Sequence, residues 1–192
     1  MNVFITGASS GIGLAMAKEF AKRGATLGLV ARNASKLDSA LPEIPAPREQ
    51  IHLFSVDVTD KEAMVRVAKE FEDLTGGADI VIANAGISHG VKTEYFEDLA
   101  MLEQIYKTNV FAMAYTFHPF IAPMKTRGRG QLVGIGSVAG IRGLPGSEAY
   151  CASKSAVITY CESLRVEMGK VGILVQTICP GSAIWLHCWQ SS

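Results

Sequence analysis

Six short apolar runs, separated by longer amphipathic stretches, restrict what this chain can fold into. The runs cover residues 2–6, 26–31, 51–56, 79–84, 131–136 and 173–178. Each is rich in Val, Ile or Leu and mostly uncharged, as strands buried on both faces are. The stretches between them read as helices. Over 60–74, Asp60 stands at the cap position, and Met64, Val67, Phe71 and Leu74 share one face. Over 11–23, Ile12, Met16 and Phe20 align, and Gly24 follows as a stop. A long helical region spans about 98–118 and is broken by Pro119 and Pro123; another covers 148–169. Residues 42–50, with Pro42, Pro45 and Pro47, read as a surface loop. Strand alternating with helix implies an α/β protein: a parallel sheet with helices on both faces.

The chain has 192 residues, which predicts one domain, 1–192, with a core of its own. Hydrophobic residues make up 48% and charged residues 19%, which excludes a disordered chain. Lys plus Arg and Asp plus Glu are equal at 18 each, so net charge argues against nucleic acid or an anionic membrane as partner. Any anion site must be local. Cys151, Cys161, Cys179 and Cys188 form no Cys-x-x-Cys pair, and the histidines are scattered, His187 beside Cys188 included. No metal site or disulfide framework is expected, and reduced thiols in a cytoplasmic protein are. Cys151 reads as a small packing residue. Neither a secretory signal nor a membrane span is read from the chain.

The first run leads into Thr6-Gly7-Ala8-Ser9-Ser10-Gly11-Ile12-Gly13, which opens the first helix. Glycines at 7, 11 and 13 let a phosphate approach a backbone that a Cβ would shield. Amides at the helix start, with the helix dipole, then face a pyrophosphate. Thr6, Gly7, Ser9, Ser10, Gly11, Ile12 and Gly13 are therefore candidate cofactor contacts. Arg32 follows the second run, in Val30-Ala31-Arg32-Asn33, where no carboxylate stands to take a ribose 2′-hydroxyl. A guanidinium there suits a 2′-phosphate, so NADP(H) is expected over NAD(H).

Tyr150 and Lys154 lie four apart on a predicted helix and share a face. A phenol ordinarily ionises near about 10, and an adjacent ammonium favours its ionised form. The pair reads as an acid/base device, with Ser137 orienting a substrate oxygen. Gly7, Arg32, Asp57, Asn84, Ser137 and Pro180 each stand at or just past the end of one of the six runs. All would gather at the carboxyl edge of the sheet, where open α/β folds bind ligands.

Jointly these residues resemble the short-chain dehydrogenase/reductase family, from Thr6 to Gly181. The likeness rests on the glycine turn, Asp57, Asn84-Ala85-Gly86, Asn109, Ser137, Tyr150-x-x-x-Lys154 and Pro180-Gly181. It implies a Rossmann-type doubly wound parallel sheet of strand order 3-2-1-4-5-6. It implies that Asp57 and Val58 meet the adenine, that Asn84, Ala85 and Gly86 brace the sheet beside the cofactor, and that Pro180 and Gly181 border it. It further implies a catalytic set of Asn109, Ser137, Tyr150 and Lys154, with Asn109 ordering a proton path to Lys154 and Tyr150 and Lys154 also touching cofactor. The expected function is NADP(H)-dependent interconversion of a small carbonyl and its alcohol. The alternatives are a nucleotide-binding module that does not turn over, or an unproductive fragment. Gly136-Ser137-Val138 does not form a hydrolase elbow.

The resemblance also implies that the two long helices, through Phe111, Tyr115 and Tyr160, pair subunits into a homodimer. A core role is the competing reading. After Gly181 the chain departs from the family pattern: Trp185 stands where a threonine is expected, and 182–192 reads as an atypical tail in place of a substrate lid and seventh strand. A tetramer is not expected from such an ending. Trp185 and Trp189 are expected to pack on nearby apolar surface.

Overall fold

The computed structural model describes residues 1–181. The expectations for the 182–192 tail, including Trp185, His187, Cys188 and Trp189, lie outside the described residues. Six strands form one sheet: β1 (Asn2–Thr6), β2 (Thr26–Ala31), β3 (Ile51–Ser55), β4 (Ile80–Ala83), β5 (Gly130–Ile135) and β6 (Ile173–Ile178). Every pairing is parallel, in the order β3-β2-β1-β4-β5-β6, the Rossmann-type order expected. The register carries Thr6 opposite Val30 and Ile135 opposite Ile178, so the strands end along one edge.

Alternation within each strand builds a core on both faces. Val3, Ile5, Leu27 and Leu29 face one layer, with helices α1 (Gly11–Lys22) and α2 (Ala34–Ala40). Phe4, Val30, Val81 and Leu132 face the other, with α3 (Lys61–Thr75), α5 (Ala112–Arg127) and α6 (Glu148–Gly169). There Phe4 packs on Phe54, Phe71 and Phe120 with ring centroids 6.0, 5.4 and 4.9 Å away. Between them run α4 (Asp98–Tyr106) and a wide π-type turn over Lys107–Phe111, continuous with α5.

Several local expectations change. The face of α1 pressed to the sheet is Gly13, Ala17 and Ala21, while Met16 and Phe20 are half-buried. Small side chains let the helix approach the strand ends closely. Asp60 does cap α3, accepting from the Ala63 amide at 2.9 Å, but Leu74 is exposed where the helix runs out. Pro119 and Pro123 lie inside α5 without ending it. Each proline removes a backbone bond, at a cost of about 3 kcal/mol. Burying Phe117, Phe120 and Met124, all at 0% exposure, offsets this at about 1.5–3 kcal/mol each. The 42–50 loop carries most of two single 3-10 turns, Leu41–Glu43 and Arg48–Gln50. Phe111 and Tyr160 are exposed and Tyr115 is half-buried; Cys151 is buried.

Candidate active site

The site begins where β1 ends. The Thr6 hydroxyl accepts from the Asn84 and Ala85 amides at 3.1 and 3.2 Å, tying β1 to the end of β4. Asn84 returns its side-chain amide to the carbonyls of Thr6 and Gly7, at 3.0 and 3.2 Å. At two positions the turn after Thr6 has no room for a side chain. Gly7 has φ 67°, and a Cβ on it would sit 2.9 Å from Ala85 Cα. A Cβ on Gly13 would collide with the Gly7 carbonyl oxygen. At the α1 cap, Ser10 makes no side-chain bond to the first turn, so its amides have no internal cap. A cradle of bare backbone at a helix start fits a dinucleotide pyrophosphate.

Arg32, just past β2, is exposed, with Nη1 3.9 Å from Asp57 Oδ2. The other Asp57 oxygen accepts from Thr59, from its amide at 2.8 Å and its hydroxyl at 2.7 Å. Asp57 is thus held in a turn beneath Val58. The loose Arg32 pair costs little to rearrange.

At the far end, Ser137 follows β5 and caps a 3-10 turn, Val138–Gly140. Its hydroxyl oxygen accepts from the Ala139 amide at 3.1 Å, which leaves its hydrogen to donate elsewhere. Tyr150 and Lys154 lie side by side on α6, with Lys154 Nζ 5.8 Å from the Tyr150 ring centroid. Lys154 donates to the Ile135 carbonyl at 2.8 Å. Asn109 lies in the wide turn, 3% exposed, and every polar atom of its side chain is engaged. Oδ1 accepts from the Ile87 amide at 2.8 Å; Nδ2 donates to the Ile87 carbonyl at 2.9 Å and to Ser153 Oγ at 3.0 Å. Ser153 in turn donates to the Tyr150 carbonyl at 2.7 Å. The wide turn is thereby fastened to the first turn of α6.

One cleft of about 480 Å³ joins the two ends. Gly7, Ser9, Ser10, Gly11, Ile12, Arg32, Val58, Asn84, Ala85 and Gly86 line it, as do Ser137, Tyr150, Lys154, Pro180 and Gly181. Thr6, Gly13, Asp57 and Asn109 stand behind its wall, bonded to, paired with or packed on residues that line it. Ala31, Ile87, Ser88, Thr108, Ile135 and Gly136 also line the cleft, beyond what the sequence motifs mark. Ala31, Ile135 and Gly136 lie at the ends of predicted runs, Ile87 and Ser88 directly follow Asn84-Ala85-Gly86, and Thr108 precedes Asn109. Nothing in the sequence marks Ser153 beyond its place beside Lys154. Among the described residues no cluster of His, Cys, Asp and Glu could hold a metal ion, and Cys151, Cys161 and Cys179 are free thiols.

Burial pushes the Lys154 amine down from 10.5 to about 8, with Cys179 pulling slightly upward. Between those two values the unfolded chain holds a proton that the folded chain lacks. Stability therefore rises with pH across about 8 to 10.5, and the penalty is fully present below about 8. It amounts to about 3 kcal/mol. The expected result is that Lys154→Met, melted without cofactor, differs most from wild type at neutral pH, and that the difference changes steadily as pH rises toward 10.5. A difference independent of pH would show that the amine is not desolvated.

The same architecture recurs among known proteins. The family described as short chain dehydrogenase matches residues 1–183. The chain belongs to that oxidoreductase family. It is 38% identical over 185 residues to an uncharacterized oxidoreductase of Mycobacterium tuberculosis, covering 93% of this chain and 72% of the relative. It is 36% identical over 177 residues to an uncharacterized oxidoreductase of Myxococcus xanthus, covering 92% of this chain and 70% of the relative. Among solved structures it superposes on ElxO with NADP bound, with TM-score 0.85 and 30% identity, covering 94% of this chain and 73% of that one. No helix of this family member, among the described residues, is long and apolar enough to cross a membrane.

Proposed function

We propose that the chain is an NADPH-dependent reductase of a ketone or aldehyde, or a dehydrogenase of the alcohol in reverse. One observation carries the reading: a single cleft joins the glycine turn to Ser137, Tyr150 and Lys154. A bound reduced nicotinamide supplies the hydride. The Tyr150 hydroxyl gives its proton to the carbonyl oxygen, and recovers one in the opposite direction. Ser137 donates to the same oxygen with the hydroxyl hydrogen that its bond from the Ala139 amide leaves available. Lys154, anchored by one hydrogen on the Ile135 carbonyl, has its others for the ribose hydroxyls and for the charge that develops on Tyr150. Asn109 acts by holding the wide turn in place, since both its amide hydrogens are engaged. Thr6, Asn84 and the glycines shape the pyrophosphate cradle; Asp57 positions Val58 against the adenine; Pro180 and Gly181 close the nicotinamide end.

Arg32 supports the choice of NADPH. It is an exposed cation at the cleft wall, held by a loose pair with Asp57. Arg32→Asp is expected to shift the NADPH-to-NADH affinity ratio by about 10- to 100-fold toward NADH, the worth of a charge-assisted bond. Titration of both nucleotides by calorimetry reads this directly. An unchanged ratio would place the 2′-phosphate away from Arg32. The reaction itself is tested by loss of NADPH absorbance with a panel of ketones and aldehydes. Cofactor binding with no reduction of any of them would favour the nucleotide-binding module instead.

A further inference from the structure

Ser137 and the Tyr150–Lys154 pair reach the cleft from different elements, the end of β5 and the start of α6. One carbonyl oxygen meets both hydroxyls only when those elements hold a particular spacing. Two contacts hold it. The first is the bond from Lys154 Nζ to the Ile135 carbonyl, at 2.8 Å. The second is a bare approach of backbone to backbone. The 3-10 turn Val138–Gly140 lies on α6 at Gly140, where a Cβ would stand 2.7 and 2.8 Å from the carbonyl carbon and oxygen of Lys154 and 2.9 Å from Ile158 Cδ1.

The turn moves as one piece with Ser137. Ser137 Oγ accepts from the Ala139 amide at 3.1 Å, and the Ser137 carbonyl accepts from the Gly140 amide at 2.9 Å. Beyond the turn, the Val138 amide donates to the Pro180 carbonyl at 3.2 Å, a single bond to the end of the sheet. The helix beneath is held far more firmly. Cys151, Ser153, Val157, Cys161 and Leu164 of α6 are all buried. A side chain at Gly140 would therefore lift the turn, and Ser137 with it, while Tyr150 and Lys154 stay in place.

Resting on the reductase reading above, we propose that Gly140 is a positioning residue for the reaction. By seating the Ser137 turn on the backbone of Lys154, it sets the separation of the Ser137 and Tyr150 hydroxyls at the substrate oxygen. Gly140 is not among the residues that line the cleft, so it acts through Ser137.

The test is a double-mutant cycle on the full chain with NADPH and the best-reduced member of the ketone and aldehyde panel. Gly140→Ala is expected to lower kcat about 10- to 100-fold, as a misplacement of about 1 Å does. NADPH affinity, read by calorimetry, is expected to stay close to wild type, since the glycine cradle lies at the far end of the cleft. Ser137→Ala lowers kcat on its own, and adding Gly140→Ala to it is expected to lower it no further. Gly143→Ala is the control, in the same connection but with a Cβ that meets nothing within 4 Å, and is expected to match wild type. A Gly140→Ala protein with wild-type kcat, or losses that multiply in the double variant, would overturn the proposal. Thermal melts check folding. Where Gly140→Ala alone does not melt cooperatively, the cycle is run in an Ile158→Ala background, which removes the Cδ1 atom and gives the turn a direction in which to shift. A second readout needs no turnover. Deuterium exchange at the Ala139 and Gly140 amides, both bonded to Ser137 in the wild type, is expected to quicken at these positions in the variant while α6 keeps its rates. Unchanged exchange there would also overturn the proposal. A wild type that reduces no ketone or aldehyde would sink the reductase reading, and the exchange result then decides by itself whether Gly140 seats Ser137.

Discussion

Tyr150→Phe is expected to lower carbonyl reduction by about 10²- to 10⁴-fold, the usual worth of a positioned general acid. NADPH affinity is expected to stay close to wild type. The substitution removes one oxygen and keeps the ring that lies beside Lys154. The cradle at the other end of the cleft is built by Thr6, Asn84 and the glycine turn and does not involve the phenol. Single-turnover absorbance measurements with saturating NADPH isolate the chemical step, and a calorimetric titration checks binding. Turnover that survives the change would mean that the proton comes from another group. Loss of NADPH binding would mean that the oxygen is a cofactor ligand first.

Gly13→Ala is expected to destabilise the fold by about 1–3 kcal/mol and to abolish measurable NADPH binding. The added carbon would meet the Gly7 carbonyl and lie 2.7 Å from Asn84 Nδ2. Neither neighbour has room to yield. Gly7 is held at φ 67° against Ala85, and Asn84 is bonded to two carbonyls of the turn. Relief therefore requires moving the turn that shapes the cradle. Gly11→Ala is the control. Its Cβ meets nothing within 4 Å, and only its φ of 54° resists, so a smaller loss of about 1–2 kcal/mol is expected. Thermal melts and NADPH titrations of both variants read the comparison. A Gly13→Ala protein that binds NADPH as well as wild type would show that the close approach of α1 to the turn is not needed.

The strands were legible because burial on both faces makes each run apolar throughout, and the chain leaves it abruptly at Thr6, Ser55 or Ile135. Their carboxyl ends carried the positions that line the cleft, so Gly7, Arg32, Asn84, Ser137 and Pro180 were placed on one edge from order alone. Other features depend on contacts far apart in the chain. Helix α2 is too short to show a period and is announced only by the Asn33 cap, which accepts from the Lys36 amide. Pro119 and Pro123 argue locally for a break, and aromatic burial across the layer overrules them. The bond between Asn109 and Ser153 joins residues 44 apart, and no local pattern predicts it.

The π-type turn at Lys107–Phe111 has a geometric consequence of its own. A helix advances about 100° per residue, so one surplus position sets the angular phase between α4 on one side and α5 on the other. Ile105 is buried beside Val91 and Ala149, while Phe117 and Phe120 point to the sheet core. Both halves are satisfied only at that offset. For evolution or engineering, an insertion or deletion in this segment acts as a swivel: it would turn one half of the rod about its axis, where the same edit in a surface loop would merely change the slack.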